Sequence, residues 1–383
     1  MSTPGVPLRL ALLMDPLEEG WPSMDLAGEA LHEQFHGPLA DSVWVTSVRP
    51  RMVPLARRLP VLGERKQALN VDRLLTRFLA YPARAAVRTR GQDAYHVVDH
   101  TYAQLVHLLP PERTGVYCHD LDAFRSLIEP EKEPRPAWFR AMAWATLKGM
   151  QRAAVVFHST GAVRDELLRH GLVPPERLVH APLGVSPEFG PEPVPGDTSD
   201  EVLRPLGGRP YVLHVGSSIP RKRVDVLLEV FAALRRQHPE LRLVQQGAAL
   251  NETQRAQVAR LGLGDALLQP PKLDRATLAG LYRRARGVLV TSEAEGFGLP
   301  VIEALACGAP VVASDLPVLR EVGGDVVTYA PVGDIGAWTE AVHRVLESTE
   351  PDAGRSQRIT RGRGYSWTNH ARIILDTYRR LAG

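Results

Sequence analysis

The sequence predicts an α/β protein built from two open, mostly parallel β-sheets, each covered by helices on both faces. Three observations carry that expectation. Short runs rich in Val, Leu and Ile alternate with amphipathic stretches of helical period along most of the chain. The stretch "SPEFGPEPVPGDTSDEVLRPLGG", from Ser186 to Gly208, interrupts the alternation with five prolines and five acids. A length of 383 residues with 44% hydrophobic side chains is ample for two cores.

The elements follow in order. In the first half, Leu10 to Met14 reads as a buried strand and Met24 to Phe35 as a helix, with further strands within 41–48, 94–100, 114–120 and 152–160. "PAWFRAMAWATLKGM" reads as a helix whose stripe is Phe139, Met142, Trp144 and Leu147. Residues 1–190 are expected to form one domain and 191–208 a linker of limited flexibility. The second domain, 209–365, restarts with the strand "PYVLHVGS". A helix with Val224, Leu227, Leu228, Phe231 and Leu234 on one face comes next. Then come "LRLVQQG" (strand), Thr253 to Leu261 (helix), "ATLAGLYRRA" (helix), "GVLVTS" (strand), "LPVIEALACG" (helix stopped by Gly308) and "PVVAS" (strand). The last segment, 366–383, reads as an amphipathic helix with Ile373, Ile374, Tyr378 and Leu381 facing inward. Open α/β sheets bind ligands beyond the carboxyl ends of their strands. Two such domains on a hinge would face each other across a cleft, which suits joining a nucleotide-bearing substrate to a second one. It also suits a periplasmic-type binding protein.

Bulk properties exclude some classes. A formal net charge of +3 gives no global polycationic character for nucleic acid. Between Arg49 and Arg90, however, eleven Arg or Lys stand against Glu64 and Asp72. That stretch fits either a basic amphipathic surface against anionic lipid or ordinary solvated helices. Cys118 and Cys307 are the only cysteines, too few for a disulfide framework. "LRLALLM" is too short for a signal peptide, and no run reaches the roughly 20 apolar residues of a spanning helix. The expectation is a cytoplasmic protein whose membrane contact, if any, is peripheral at the inner face of the cell membrane.

Three segments carry chemistry. "TSEAEGFGLPVIEALACGAPVVAS", from Thr291 to Ser314, puts Glu295 in the loop after a strand and Glu303 within the first turn or so of a helix. Gly296 and Gly298 permit positive φ and close ligand approach, and Pro300 suits a first helical turn. A natural division has the loop carboxylate and nearby N–H groups meeting hydroxyls of one moiety, while Glu303 accepts from a ribose. Two solvated glutamates near a helix start would be the plainer reading. "HVGSSIPRKRVDVLLEVF" ends a strand at Gly216 and gathers Arg221, Lys222 and Arg223 just before a helix, a composition fit for a diphosphate. It is not a P-loop, lacking G-x-x-x-x-G-K-[ST], and such a triplet also occurs on solvated faces. "VYCHDLDAF" sets His119 and Asp120 at a strand's carboxyl end; His119 could orient a sugar hydroxyl, and Asp120 could fix its tautomer or cap a turn. His96 and His100 sit on a strand-like segment where their spacing does not suit a metal pair, and His158 reads as structural.

Taken together, these segments resemble the GT-B-fold glycosyltransferases of family 4, the retaining, nucleotide-sugar-dependent group. The resemblance covers roughly 209–325 and rests on "GSSIPRKRVDVLLEVFA", "LAGLYRRARGVLVTSEAEGFGLPVIEALACGAPVVAS" and "LREVGGDVVTYAP". "YSWTNHARIILDTYRRL" looks like the family's closing helix, which crosses back to the first domain and would anchor there through Trp367. The resemblance implies that Glu303 bonds the ribose hydroxyls and Glu295 helps position the donor sugar. Backbone N–H groups from Gly296, Phe297, Gly298 and Leu299 would surround sugar and phosphate. Arg221 and Lys222 would neutralise the leaving diphosphate, and His119 would line the cleft near the transferred sugar. It further implies no required metal and no cofactor beyond the nucleotide-diphospho sugar donor, with a glycan or lipid-linked acceptor in surface polysaccharide or glycoconjugate biosynthesis. Three positions depart from the family's pattern. Ser217 follows the strand-ending Gly216 where many relatives carry Arg, and "HAPLGVSPEF" stands where a Pro-Asn-Gly-Val turn is common. "DPLEEGWPSMD" replaces a Gly-Gly loop, leaving Gly20 and Ser23 as candidates for that role. The alternatives are an inert sugar-nucleotide-binding protein or a glycogen-synthase-like polymerising enzyme.

Overall fold

A computed structural model describes residues 6–58, 66–348 and 352–382. It divides into two units, one formed by Met1–Leu183 with Trp367–Gly383 and the other by Gly184–Ser366. The boundaries differ from the expected 190 and 191–208 because the proline-rich stretch is not a free connector. Arg283 Nη2 donates to Asp197 Oδ2 at 2.6 Å, Arg284 pairs with Asp200, and Thr198 Oγ1 lies 2.9 Å from Thr277 Oγ1. These contacts fasten helix Ser199–Leu203 to helix Arg275–Arg284, so the stretch is part of the second unit.

The first unit contains six parallel strands: β1 (Leu8–Leu13), β2 (Val43–Val48), β3 (Ala94–Val97), β4 (Thr114–Cys118), β5 (Val155–His158) and β6 (Leu178–His180). Their order is β2-β1-β3-β4-β5-β6. Strands β3, β4 and β5 are buried throughout, which is why they read as continuous apolar runs. Two helical stripes need correction. Helix Ala137–Arg152 buries Ala143, Thr146, Leu147, Gly149 and Met150, while Trp144 is exposed. Small residues win that face because the backbone comes so close: a Cβ on Gly149 would stand 2.0 Å from the Ala103 carbonyl oxygen. The closing helix, Trp367–Ala382, buries Trp367, His370, Ala371, Ile374, Leu375, Thr377 and Tyr378, leaving Ile373 half-buried and Leu381 exposed. Tyr378 Oη donates to the Tyr95 carbonyl at 2.9 Å and lies 3.0 Å from His96 Nδ1, tying this helix to β3.

The second unit repeats the plan with β7 (Tyr211–Gly216), β8 (Arg242–Gly247), β9 (Leu267–Leu268), β10 (Gly287–Val290), β11 (Val311–Ser314) and β12 (Thr328–Ala330). Their order is β12-β11-β10-β7-β8-β9, again all parallel. Helix Val224–Arg235 buries Val224, Val226, Leu227, Leu228, Val230, Phe231 and Leu234 against this sheet and helix Ile335–Glu347. Each such Leu or Phe is worth roughly 1.5–3 kcal/mol relative to exposure. In both sheets the strand order reverses once, between β1 and β3 and between β7 and β10. Those reversal points are where open α/β sheets leave a crevice for ligands.

Part of the basic stretch serves its own unit. Arg49 lies 3.5 Å from both Asp25 and Glu29, Arg73 Nε is 3.1 Å from Glu19, and Arg77 stacks over the Tyr102 ring and donates to the Thr101 carbonyl. Residues 59–65 of that stretch lie outside the described residues. Among the described residues no helix is long and apolar enough to cross a membrane. Cys118 and Cys307 are buried free thiols.

Candidate functional site

The reversal point of the second sheet collects the charged segments. The loop after β7 runs into Pro220–Lys222, and the loop after β10 runs through Glu295 to Gly298. The two loops are sewn together by backbone: Glu293 N–H donates to the Arg221 carbonyl at 2.8 Å, and Thr291 Oγ1 to the Lys222 carbonyl at 2.9 Å. That scaffold presents Lys222 Nζ to Glu295 Oε1 at 2.5 Å. Ser292 Oγ donates to the same oxygen at 2.7 Å, and Arg221 Nη1 stands 3.9 Å from Oε2 while bonding the Ala294 carbonyl. The Glu295 side chain is only 7% exposed and that of Lys222 13%. Burial alone would raise the Glu295 carboxyl; Lys222, Ser292 and Arg221 outweigh it and hold the group below the usual carboxylate range. Arg223 adopts a left-handed conformation (φ 47°) at the helix start and pairs with Asp225 and Glu293 instead. Of the triplet, Arg221 and Lys222 are therefore the cations that face Glu295.

Glu303 is the fifth residue of helix Leu299–Ala306, just past its first turn, as the spacing suggested. It is 8% exposed and accepts from Tyr282 Oη at 2.9 Å. Burial raises its carboxyl to about 7, with Tyr282 and Arg275 pulling the other way. The two glutamates thus occupy different electrostatic environments. Gly298 caps the helix at φ 99°, and a Cβ there would meet Leu319 Cδ2 at 2.7 Å, so both backbone and packing require glycine. Phe297 points inward, packing edge-on against Tyr365 at 5.5 Å, so only its backbone is available to a ligand. Gly296 and Leu299, both half-buried, flank it in the same loop and first turn.

Gly216 closes β7 beside His214. The His214 imidazole is buried, bonds the Leu289 carbonyl through Nδ1 at 3.0 Å, and is lowered to about 4 by burial. Among the described residues its Nε2 has no hydrogen-bond partner; it would stand 3.1 Å from a Cβ at Gly216, with Lys222 Cδ at 3.8 Å. Ser217 is half-buried at the start of the loop. Tyr282, Ser292 and His214 are the site residues that sequence reading missed. Only Ser292, three residues before Glu295, left a local sign.

In the first unit, Gly20 (φ 71°) ends the turn Leu17–Glu19 after β1, and exposed Ser23 lies in the first turn of helix Pro22–His36. His119, after β4, is 5% exposed; its Nε2 is 3.0 Å from the Val98 carbonyl and its N–H lies 3.4 Å from His100 Nδ1. Asp120 caps the Asp122 N–H at 3.0 Å and approaches His100, not His119. Asp99 accepts from Thr101 N–H (2.8 Å) and Oγ1 (2.6 Å) and lies 3.2 Å from His100 Nδ1. Asp15, 4% exposed, is raised by burial and then by Asp99, whose own carboxyl is held low against burial by His100. His158 Nδ1 lies 3.0 Å from the Thr160 carbonyl, a structural contact.

Comparison with known proteins places this geometry. Residues 197–362 match the family described as Glycosyl transferases group 1. O-antigen chain mannosyltransferase B of Escherichia coli is 27% identical over 353 residues, 86% of this chain and 83% of that protein. The D-inositol 3-phosphate glycosyltransferase of Xylanimonas cellulosilytica is 33% identical over 237 residues, 57% of this chain, and the match spans about half (55%) of that relative's length. The structure of Anabaena HepE in complex with UDP-glucose superimposes with a TM-score of 0.71 at 16% identity, covering 97% of this chain and 100% of that one. The fold is therefore GT-B, and residues 197–362 are similar to the Glycosyl transferases group 1 family.

Proposed function

We propose that this chain is a retaining hexosyltransferase of family 4 type. It moves a hexose from a nucleoside-diphosphate sugar to a glycan or lipid-linked acceptor in surface-polysaccharide assembly, and it needs no metal for the chemistry. The observation that carries this reading is the Lys222–Glu295–Arg221 cluster at the reversal point of β7 and β10. Two cations against one carboxylate leave net positive charge beside a glycine-capped helix start, where a diphosphate fits. The nature of the E. coli relative supports the glycan setting, and the UDP-glucose held by HepE supports the donor class.

The chemistry follows from charge. As the bond from the sugar's anomeric carbon to the β-phosphate oxygen breaks, negative charge grows on that oxygen, and Lys222 and Arg221 stabilise it more than in the ground state. The acceptor hydroxyl oxygen bonds the anomeric carbon on the face the phosphate leaves, and its proton passes to the departing phosphate. Glu295, kept ionised, accepts from donor sugar hydroxyls. Glu303 accepts from the ribose. The first unit is assigned the acceptor, and peripheral membrane contact at the exposed part of 66–90 is compatible with a lipid-linked one.

A panel of nucleotide sugars tests this, scored by thermal protection and by release of free nucleotide in the presence of a chelator. One donor should both protect and turn over, and NMR of the product should show the donor's anomeric configuration. Protection without any release, with acceptor lipids and glycans supplied, would make the chain a binding protein.

A further inference from the structure

The opposite edge of the second sheet carries a separate constellation. His238 lies in the turn before β8, and His343 and Glu347 sit four residues apart at the carboxyl end of helix Ile335–Glu347. His238 Nε2 and His343 Nδ1 are 3.0 Å apart, His238 Nε2 is 3.9 Å from Glu347 Oε1, and the three ligand atoms lie within 4.8 Å of one another. The pocket beside them is lined by Pro210, Leu241 and Arg286, which precede β7, β8 and β10. It is therefore at the amino ends of strands whose carboxyl ends carry Lys222 and Glu295.

We infer that His238, His343 and Glu347 form a zinc site that clamps the turn before β8 to the end of helix Ile335–Glu347. Four arguments support it. The ligand types are two imidazoles and a carboxylate, a set that favours zinc over magnesium. Zinc–nitrogen bonds of about 2.0–2.1 Å in a tetrahedron separate two nitrogens by roughly 3.3 Å, so this pair needs to open by only about 0.3 Å. The supports are rigid: His238 N–H bonds the Leu234 carbonyl at 2.9 Å, and Leu234, Val342 and Leu346 share one buried core. The site also lies at a helix carboxyl end, whose partial negative charge favours a cation. Arg286, the nearest guanidinium lining the pocket, donates to the Leu346 carbonyl at 2.9 Å. The Glu347 side chain is 62% exposed and free to swing inward, and solvent would complete the shell. Binding needs the lone pairs of both nitrogens, so the proton of the imidazole–imidazole hydrogen bond shifts to the other nitrogen of the donor ring.

The test is calorimetric titration of zinc into the full-length, chelator-treated protein, with melting temperature followed in parallel. One zinc per chain should bind saturably and raise the melting temperature with zinc concentration, while magnesium does neither. His343→Ala and His238→Gln should each weaken that binding more than about tenfold without changing nucleotide-sugar turnover. If His343→Ala fails to fold, Glu347→Gln, altering an exposed side chain, should still weaken zinc binding. Absence of saturable uptake, or equal affinity in wild type and all the variants that fold, would reduce the pair to a histidine–histidine hydrogen bond.

Discussion

The two sheets share a strand order that reverses once, yet the side chains at the two reversal points differ in sign. After β7 and β10 stand Arg221, Lys222 and Glu295, with the acid serving to hold the cations. After β1, β3 and β4 stand Asp15, Asp99, His100, His119 and Asp120, with acids serving to hold a histidine. Topology sets where a ligand can approach, and the residues at the strand ends set what can be bound. A net cationic edge suits a diphosphate, whereas carboxylates and imidazoles suit neutral hydroxyls.

The strongest way to break this contrast is Lys222→Ala. Under the proposed function it removes a transition-state cation, and it takes the nearest cation from the nearly buried Glu295. Turnover should fall on the order of 10²-fold, with stability lower by about 3 kcal/mol. Steady-state kinetics and denaturant melts measure both. A raised KM with intact kcat would show that Lys222 binds ground and transition states alike.

Glu303→Gln sharpens the contrast within the second unit. The Glu303 carboxyl rises to about 7 from an ordinary 4.5, so the folded protein holds that proton more tightly than the unfolded chain. Its contribution is most favourable below about pH 4.5 and is lost as pH climbs through 7. Glutamine, neutral throughout, should therefore gain stability relative to wild type across that window, by roughly 3 kcal/mol at pH 8. Nucleoside-diphosphate affinity should drop several-fold from the lost ribose acceptor. Glu295 behaves oppositely: its carboxyl is held low, so its contribution is present above 4.5 and lost only as pH falls through its folded value. A Glu303→Gln profile parallel to wild type would mean that Glu303 ionises in the fold as freely as in solution.

The smallest effect belongs to His119→Ala. The Val98 carbonyl loses its bond, at about 1 kcal/mol of stability, while nucleoside-diphosphate affinity should stay unchanged, because the proposed function assigns it to the second unit. Turnover should fall a few-fold through weaker sugar positioning. Wild-type turnover with that stability loss would leave His119 a structural residue, and a loss of nucleotide affinity would contradict the division between the units.

Much of this protein was determined by sequence alone. Alternating apolar runs specified most strands, and the period of Val224 to Leu234 specified a helix, because both patterns depend on near neighbours. Glycine and proline around Glu295 and Glu303 marked a strand-to-helix loop, since backbone freedom is a local property. The edge strands β6, β9 and β12, of two or three residues, were too short to show a period. Helical stripes misled at Trp144, where close backbone approach at Gly149 buries small residues, and at Leu381, which lies in the last turn of its helix, past the buried residues that end at Tyr378. Tertiary structure alone decided the partnerships. Lys222 meets Glu295 across 73 residues, Tyr282 meets Glu303 from another helix, and His238 meets His343 across 105. Each pairing depends on which strands and helices lie side by side. That order comes from packing whole elements into one sheet, and no local spacing encodes it.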